Sequence, residues 1–407
     1  MPDEPRTAGS NPGGSSVTAA RPAAKASFWR SRAIRGVLYQ VVVLVILVLV
    51  GFYLTHNTLE NMRVRGIQSG FGFFTEPAGF GIGESVIAYD SSDPYWKAFI
   101  VGFTNTLRVS IVGVIFTTII GVLVGVGRLS RNFLIRSLCT GYVELFRNVP
   151  ILLQLLMWYF IMTDRLPDTE GALNPLPGFF LSKNGLSFPV PVWATGHIGT
   201  LAGLVAGMVL AWWYARRARA RFRETGHKPA QFWPAVGFIL GATLIGWLAG
   251  GMPGALDMPE KNEISVAGGG AVTPEFLAIT IGLTIYTAAF IAEIVRSAIQ
   301  AVPRGQSEAA GSLGLTPGQS LRLVLLPQAM RIIIPPLTNQ YLNLIKNSTL
   351  AVAVGYPDLV SISNTTLNQT GRAVECIVVM MTVYLVLSLL TAAFTNWFNA
   401  RVAIRER

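Results

Sequence analysis

Charge is scarce in this chain of 407 residues: Asp, Glu, Lys and Arg make up 13% of it, against about 25% in an ordinary soluble domain. Only two cysteines occur, Cys139 and Cys376, both inside apolar runs, so neither a disulfide framework nor a cysteine-ligated zinc site is supported. The three histidines form no HxxxH or HExxH pattern. The GxSxG nucleophile motif and the P-loop motif are absent too, so acyl transfer and P-loop binding of ATP have no support.

Long apolar runs are abundant instead, since hydrophobic residues make up 51% of the chain. Residues 37–54 carry no charge over about 18 residues, which at about 1.5 Å per residue approaches the 30 Å hydrocarbon core. A secretory signal peptide is the alternative, but the 36 preceding residues are too many and no small-x-small cleavage site follows. Seven further apolar segments lie at 98–127, 138–162, 196–215, 232–252, 275–299, 331–356 and 376–398. The sequence therefore predicts an all-α integral membrane protein with about eight transmembrane helices.

The basic residues indicate the orientation of these helices. The formal net charge is +11, from 32 Lys and Arg against 21 Asp and Glu. Eight spans that start from a cytoplasmic N-terminus place 21 of the 32 basic residues in cytoplasmic segments and six in outer loops. This asymmetry follows the positive-inside rule and predicts that both termini are cytoplasmic. The basic run at 216–223 is then a retained inner loop rather than a nucleic-acid-binding patch.

Glycines four residues apart recur within the apolar segments, at Gly121–Gly125, Gly237–Gly241 and Gly246–Gly250. This spacing lets two helix backbones approach closely in lipid, where packing drives helix association. Because glycine is common in membrane helices, each pair alone is weak evidence for a close contact.

A short polar motif lies in a predicted cytoplasmic loop. It consists of Glu308-Ala309-Ala310, then three residues, Gly314, nine residues and Val324-Leu325-Leu326-Pro327. The first part predicts a short helix with a small face that could fit a groove in another protein. Gly314 is suited to its C-terminal cap, and Thr316-Pro317 cannot continue it. An ordinary loop helix is the alternative when the spacing is taken alone.

This spacing resembles the EAA loop of bacterial ABC importer permeases, with Val324 in place of the usual isoleucine as the one departure. Residues 286–296 and 302–306 resemble the polar amino acid subfamily, although Ser297 replaces a usual glycine. Residues 146–155 are similar to the R-G-x-P-x-x-x-Q segment of that subfamily, with Asn148 at the glycine position. The resemblance implies a five-helix type I permease core.

The resemblance also divides the chain into parts. Residues 97–163 and 275–400 form the two parts of the expected permease core, with the EAA loop at about 303–327. The other predicted parts are a disordered cytoplasmic tail (1–36), an extra N-terminal transmembrane helix (37–55), a periplasmic loop (56–96), an insertion with two transmembrane helices (164–274) and a cytoplasmic tail (401–407). This layout resembles the longer permeases of the general L-amino acid system, the Aap and Bzt types, which work as heterodimers.

The function that the resemblance implies is transport of polar or general L-amino acids across the bacterial inner membrane. The chain would be a permease subunit rather than an enzyme, with no cofactor and no metal of its own. Its expected partners are a second related permease, two cytoplasmic ATPase subunits that bind ATP and Mg²⁺, and a periplasmic amino-acid-binding protein. An ion-gradient-driven carrier and a membrane-embedded enzyme are the alternatives. The former calls for an internal repeat with paired broken helices and the latter for clustered catalytic residues, and neither is evident.

Two sets of candidate site residues follow. The expected ATPase-coupling loop contains Arg304, Gly305, Gln306, Glu308, Ala309, Ala310, Gly314, Leu315 and Pro327. A charge near the bilayer centre costs at least about 2.5 to 3.5 kcal/mol, so ionisable groups in the spans need partners or a wet cavity. The predicted substrate path contains Glu144, Arg147, Gln154, Tyr286, Glu293, Arg296, Lys346, Asn347 and Ser348.

The spacing within the second set leaves two readings open. Glu144 and Arg147 are three residues apart, as are Glu293 and Arg296, so each pair shares a helix face and could neutralise itself. Such groups could line a path for a zwitterionic amino acid. Alternatively they are ion pairs that hold the bundle together, or arginines that snorkel towards an interface.

Overall fold

The computed structural model describes residues 32–64, 66, 69–225, 230, 232–262 and 266–402. Most of the predicted N-terminal tail, residues 1–31, therefore lies outside the described residues. The described chain divides into two units, and the boundary along the chain lies between Ser69 and Gly70. The first contains helix α1 (Arg32–Val64), which is continuous and begins within the segment that the sequence assigns to the tail. Its uninterrupted valine, leucine and isoleucine side chains are exposed, as suits a helix surrounded by lipid.

The second unit contains the remaining helices. They are α2 (Tyr95–Gly127), α3 (Phe133–Asn148), α4 (Ile151–Phe160), α5 (Gly196–Thr225), α6 (Phe232–Ala249), α7 (Pro274–Ala301), α8 (Arg304–Ser312), α9 (Pro317–Ser320), α10 (Leu326–Asn347), α11 (Leu359–Thr370) and α12 (Ala373–Val402). Short 3₁₀ or π turns occupy Phe71–Thr75, Ile161–Arg165, Thr169–Gly171, Leu321–Leu325 and Ser348–Val354. Among the described residues, seven helices are long and apolar enough to cross a membrane, or eight if α3 and α4 are one bent span. The predicted all-α membrane fold is confirmed.

A small β structure connects the helices of the insertion. Strands β1 (Leu173–Leu176), β2 (Phe179–Ser182), β3 (Gly185–Phe188) and β8 (Gly270–Val272) form one antiparallel sheet in that order. Two ribbons pair β4 (Val190–Pro191) with β5 (Leu256–Asp257) and β6 (Glu260–Lys261) with β7 (Val266–Ala267). Strands of two to four residues contain too few alternations to be read from a sequence, and we did not predict them. Strand β8 leads through Thr273 into α7, so the sheet adjoins the permease core.

Helices α2 and α7 pack closely along glycines of α2. A Cβ atom placed on Gly121 would lie 2.7 Å from the Cβ of Ile291, and one on Gly125 would lie 2.8 Å from the carbonyl oxygen of Ala292. Neither position tolerates a side chain without movement of α7. The close approach predicted from the Gly121–Gly125 spacing is therefore confirmed.

Helices α5 and α6 form an antiparallel hairpin with direct backbone contact. Cβ atoms placed on Gly196, Gly199 and Gly203 of α5 would lie 2.0 to 2.7 Å from the carbonyl oxygens of Gly250, which follows α6, and of Gly246 and Ala242 within α6. Gly246 and Gly250 meet α5 equally closely, so that predicted contact is confirmed. The prediction for Gly237–Gly241 is wrong, because both glycines face open space on the opposite side of α6. The outward faces of the hairpin are apolar and exposed.

Residues 70–94 pack onto α2, α11 and α12 through a cluster that includes Phe73, Tyr95 and Ile362. The buried Glu84 fastens this segment to the helices. Its carboxylate accepts hydrogen bonds from Arg108 of α2 and from the backbone and side chain of Thr273, which also caps the N-terminus of α7. The side chain of Asn105 donates to the carbonyl oxygens of Glu84 (2.8 Å) and Pro357 (2.9 Å). Glu84 thus joins its own segment to α2 and to the start of α7, and Asn105 adds a contact with Pro357.

Candidate functional site

A sharp helix break lies within the segment that resembles R-G-x-P-x-x-x-Q. Helices α3 and α4 meet at an angle of 104°. Pro150 cannot donate to the carbonyl oxygen of Phe146, four residues earlier, because proline has no N–H. Gln154 replaces this missing donor: its Nε2 donates to the carbonyl oxygens of Phe146 (2.9 Å) and Val149 (2.8 Å). The side chain is 2% exposed, so its visible role is to stabilise the break.

A group of opposite charges lies beside this break, where α2 ends and α3 crosses α7. We refer to it as the charged cluster, and it consists of Arg128, Glu144, Arg147, Glu293 and Arg296. Glu293 is its centre, with Nη2 of Arg296 at 2.5 Å from Oε1 and Nη1 of Arg147 at 3.9 Å from Oε2. Arg128 also donates to Glu293, and its Nη2 lies 4.0 Å from Oε1 of Glu144. Three arginines therefore share two carboxylates, which leaves one net positive charge.

Of the two ion pairs that the spacing allows, this arrangement contains one. Glu293 and Arg296 pair within α7 as their spacing predicts. The spacing of Glu144 and Arg147 allowed a pair within α3, but each has another partner. Glu144 lies 4.0 Å from Arg128, just beyond α2, and Arg147 lies 3.9 Å from Glu293 of α7. Arg128 was not among the candidates for the substrate path, because it follows the apolar run of α2 and the sequence predicts a loop there. Nothing in a single sequence indicates its contact with Glu293.

Exposure differs widely within the charged cluster and decides which charges are available to a ligand. The side chain of Arg128 is 9% exposed, whereas those of Arg147 and Glu144 are 36% and 60% exposed. Buried Arg128 compensates the charge of Glu293, while Arg147 and Glu144 offer one positive and one negative charge. The guanidinium of Arg147 lies 5.3 Å from the ring centre of Phe290, which in turn is 5.0 Å from the ring of Tyr286. The cluster could thus hold a small molecule that carries both charges.

The last three candidates for the substrate path lie elsewhere. Lys346 and Asn347 end α10, and Ser348 is buried, with its hydroxyl donating to the carbonyl oxygen of Ile345 (2.7 Å). Leu344 packs against Gly113 of α2, whereas Arg128 of the charged cluster lies at the end of that helix. Fifteen residues of helix correspond to about 22 Å. The structure therefore does not bring these three residues into the charged cluster.

The EAA segment has the predicted local structure. Helix α8 ends in a Schellman motif: the N–H of Leu315 donates to the carbonyl oxygen of Ala310 (3.1 Å) and that of Gly314 to Gly311 (2.9 Å). Gly314 has a φ of +73°, a left-handed conformation that side chains disfavour. Thr316 then begins α9 with a capping box. The predicted short helix that ends at Gly314 is confirmed.

The faces of α8 are not equivalent. Ala310 is buried against its own chain, whereas Arg304, Gly305, Glu308 and Ala309 are exposed. Gln306 pairs with Gln328 at the start of α10 (3.1 Å), while Leu315 and Pro327 are half-buried. Of the two motif alanines, only Ala309 is therefore on the open face.

Leu313 follows α8 directly and has 80% of its side chain exposed. It was not among the predicted residues. In the sequence it stands out only as a large apolar residue between Ser312 and Gly314.

Comparison with known proteins identifies the family of this chain. A family model described as "Binding-protein-dependent transport system inner membrane component" matches residues 232–404. The general L-amino acid transport system permease protein AapQ of Rhizobium johnstonii is 46% identical over 373 residues, which cover 92% of this chain and 93% of AapQ. The chain belongs to the amino-acid ABC importer permease family. Members of this family are transport subunits rather than enzymes.

Two further relatives of this ABC permease differ in how much of the chain they match. The glutamate/glutamine/aspartate/asparagine permease BztB of Rhodobacter capsulatus is 38% identical, with 92% of this chain and 95% of BztB covered. The glutamate/aspartate import permease GltJ of Escherichia coli is 26% identical, with 70% and 80% covered. A match over 92% of the chain leaves too few residues unmatched to omit the insertion at 164–274, so AapQ and BztB match the insertion as well. This permease therefore shares its extended layout with AapQ and BztB, as the sequence predicts.

Proposed function

We propose that this permease carries polar or general L-amino acids inward, driven by ATP hydrolysis on a separate cytoplasmic ATPase that it contacts through the EAA loop. The observation that carries the coupling role is the geometry of α8. It is a short helix closed by a Schellman motif, with Gly305 and Ala309 among its exposed residues and a hydrogen bond from Gln328 of α10 to Gln306. A helix docked in a groove of the ATPase would move as one body when the groove moves.

The proposed assembly contains a second related permease, two ATPase subunits that bind ATP and Mg²⁺, and a periplasmic amino-acid-binding protein. The basic residues of the sequence support an orientation with both termini in the cytoplasm. Similarity to AapQ and BztB supports L-amino acids as substrates, since AapQ is named for general L-amino acids and BztB for acidic amino acids and their amides.

The proposed substrate path passes the charged cluster. An α-amino acid carries one carboxylate and one ammonium group, and Arg147 and Glu144 offer the opposite charges at accessible positions. Lys346, Asn347 and Ser348 would belong to a separate level of the path, about 22 Å away along α2.

Replacement of Gly314 by valine tests the coupling role. Valine is strained at a φ of +73°, so the turn after α8 should shift and displace the docked helix. We expect transport by the reconstituted complex to fall at least about tenfold while ATP hydrolysis continues, because about 1.4 kcal/mol of lost coupling corresponds to tenfold. Gly318→Val is the matched control, since Gly318 lies in the same loop in open space without a positive φ. Wild-type transport by Gly314→Val would show that the loop does not couple the two proteins.

A further inference from the structure

The far end of the α5–α6 hairpin carries an unusual alternation of aromatic and basic residues. Trp212 and Trp213 end the apolar part of α5, and Arg216 and Arg217 follow one turn later. The guanidinium carbons of these arginines lie 4.2 Å and 4.0 Å from the centres of the indole rings, one above each. Arg219 and Arg221 continue the helix and are exposed. We refer to these four arginines as the arginine collar.

Aromatic residues of both helices surround the base of the collar. Helix α6 begins with Phe232 and Trp233, whose rings are exposed. The hydroxyl of Tyr214 donates to the carbonyl oxygen of Ala230 (3.1 Å), so the two helix ends are tied together at this level. Exposed tryptophans at the end of an apolar helix are typical of the boundary between hydrocarbon and headgroups. The collar therefore lies one to two turns beyond this boundary, at the depth of lipid phosphates.

Basic residues outnumber acidic ones in this part of the chain. The sequence of α5 contains Glu224 as its one acidic residue, against Arg223 and the four arginines of the collar. Guanidinium groups bind phosphate oxygens in a bidentate manner, and they remain charged at every physiological pH. A ring beneath the guanidinium holds it in place by a cation–π contact and leaves its N–H edge free for such an anion.

Lipid is also the natural neighbour of this hairpin. Within the described residues, no residue of α6 is buried, and α5 meets α6 through its glycine face. The other faces are apolar and exposed along the membrane-spanning length. An occupant of the collar must therefore be a molecule that reaches it from the surrounding bilayer.

We propose that the arginine collar binds the phosphate groups of anionic phospholipids in the adjoining leaflet and so fixes the depth and tilt of the hairpin. The proposal rests on the aromatic and basic geometry of the hairpin and not on the transport function. Zwitterionic lipids carry a compensating ammonium group and should bind less well. Free inorganic phosphate lacks the acyl chains that bring a headgroup to this depth and should not compete.

Native mass spectrometry of the purified full-length protein tests this proposal. The protein would be titrated with phosphatidylglycerol and, in parallel, with phosphatidylcholine. For the fourfold variant R216Q/R217Q/R219Q/R221Q we expect the apparent affinity for phosphatidylglycerol to fall at least about tenfold, with no change for phosphatidylcholine. R219Q/R221Q, which leaves the two stacked arginines in place, should show a smaller loss. R131Q/R136Q is the matched control, because both arginines are exposed near the start of α3.

Three results would overturn the proposal. One is unchanged binding of phosphatidylglycerol by the fourfold variant. Another is displacement of the lipid by inorganic phosphate at equal concentration, which would indicate a site for the free ion. The third is loss of a co-purified ATPase or permease from the fourfold variant with lipid binding intact, which would make the collar a protein-binding surface.

Discussion

Replacement of Gln154 by leucine should destabilise the permease, because this side chain supplies the donor that Pro150 lacks. Leucine has a similar volume and no N–H, so the change removes two hydrogen bonds and leaves the carbonyl oxygens of Phe146 and Val149 unpaired at a buried break. The apolar packing around position 154 is largely retained. The loss can therefore be assigned to the hydrogen bonds.

The magnitude follows from the two bonds. A hydrogen bond contributes about 1 kcal/mol net, and a buried acceptor left without a partner costs about 1 to 3 kcal/mol. Oε1 of Gln154 is itself buried without a partner, so its removal returns part of this cost. We expect Gln154→Leu to lower the free energy of unfolding by about 2 to 3 kcal/mol. Gln154→Glu should be at least as harmful, because a carboxylate cannot donate to either carbonyl group.

Equilibrium unfolding of the purified protein in mixed detergent micelles, followed by helical circular dichroism, would measure this change. Gln328→Leu is the control, since it removes one hydrogen bond at the more exposed start of α10 and should cost less than about 0.5 kcal/mol. If Gln154→Leu unfolds like the wild type, the stabilising role of Gln154 is refuted. Unchanged stability together with lost transport would instead favour a role in the substrate path.

Two further changes test other parts of the fold. Gly203→Leu places a side chain where a Cβ would lie 2.3 Å from the carbonyl oxygen of Ala242, so it should separate α5 from α6 and cost about 1 to 3 kcal/mol in the same unfolding assay. Gly237 faces open space, so Gly237→Leu should leave the free energy of unfolding unchanged. An equal loss of stability in both variants would disprove the glycine contact. Burial raises the pKa of Asp358 to about 7 from the 3.8 of an exposed carboxyl. The native state then retains a proton that the unfolded chain has lost, so stability should fall between about pH 4 and pH 7, and Asp358→Asn should abolish this slope. An unchanged slope would contradict the assignment.

Features that depend on local pattern were predictable from the sequence. The apolar length of α2 or α12 exceeds what a soluble helix needs, so the spans could be counted with no knowledge of their packing. Gly314 followed by Thr316 and Pro317 defines the end of one helix and the start of the next within a few residues, and the structure has that cap. The fold class and the shape of the EAA segment were therefore within reach.

Features that depend on contact between helices were not predictable. Spacing within α3 made Glu144 and Arg147 a plausible pair, but the crossing with α2 and α7 gives each a different partner. The same holds for Ala310, whose burial depends on how α8 folds back against the following segment. Gln154 is an intermediate case, because a glutamine four residues after a proline is a local signal with a physical meaning that becomes clear only once the helix is seen to break.

Two carboxylates hold α2 against α7 at two separate levels and limit how this permease can change shape. At one level Glu84 joins Arg108 of α2 to Thr273, the N-cap of α7, and at the other Glu293 of α7 holds Arg128. Between them the glycines of α2 leave no room for sliding. A pair held at two levels and packed closely between them behaves as a single strut about 30 Å long, the rise of the helix from Arg108 to Arg128. Any alternation of access must then come from the parts hinged to this strut, at the break between α3 and α4 and at the turn that follows α8.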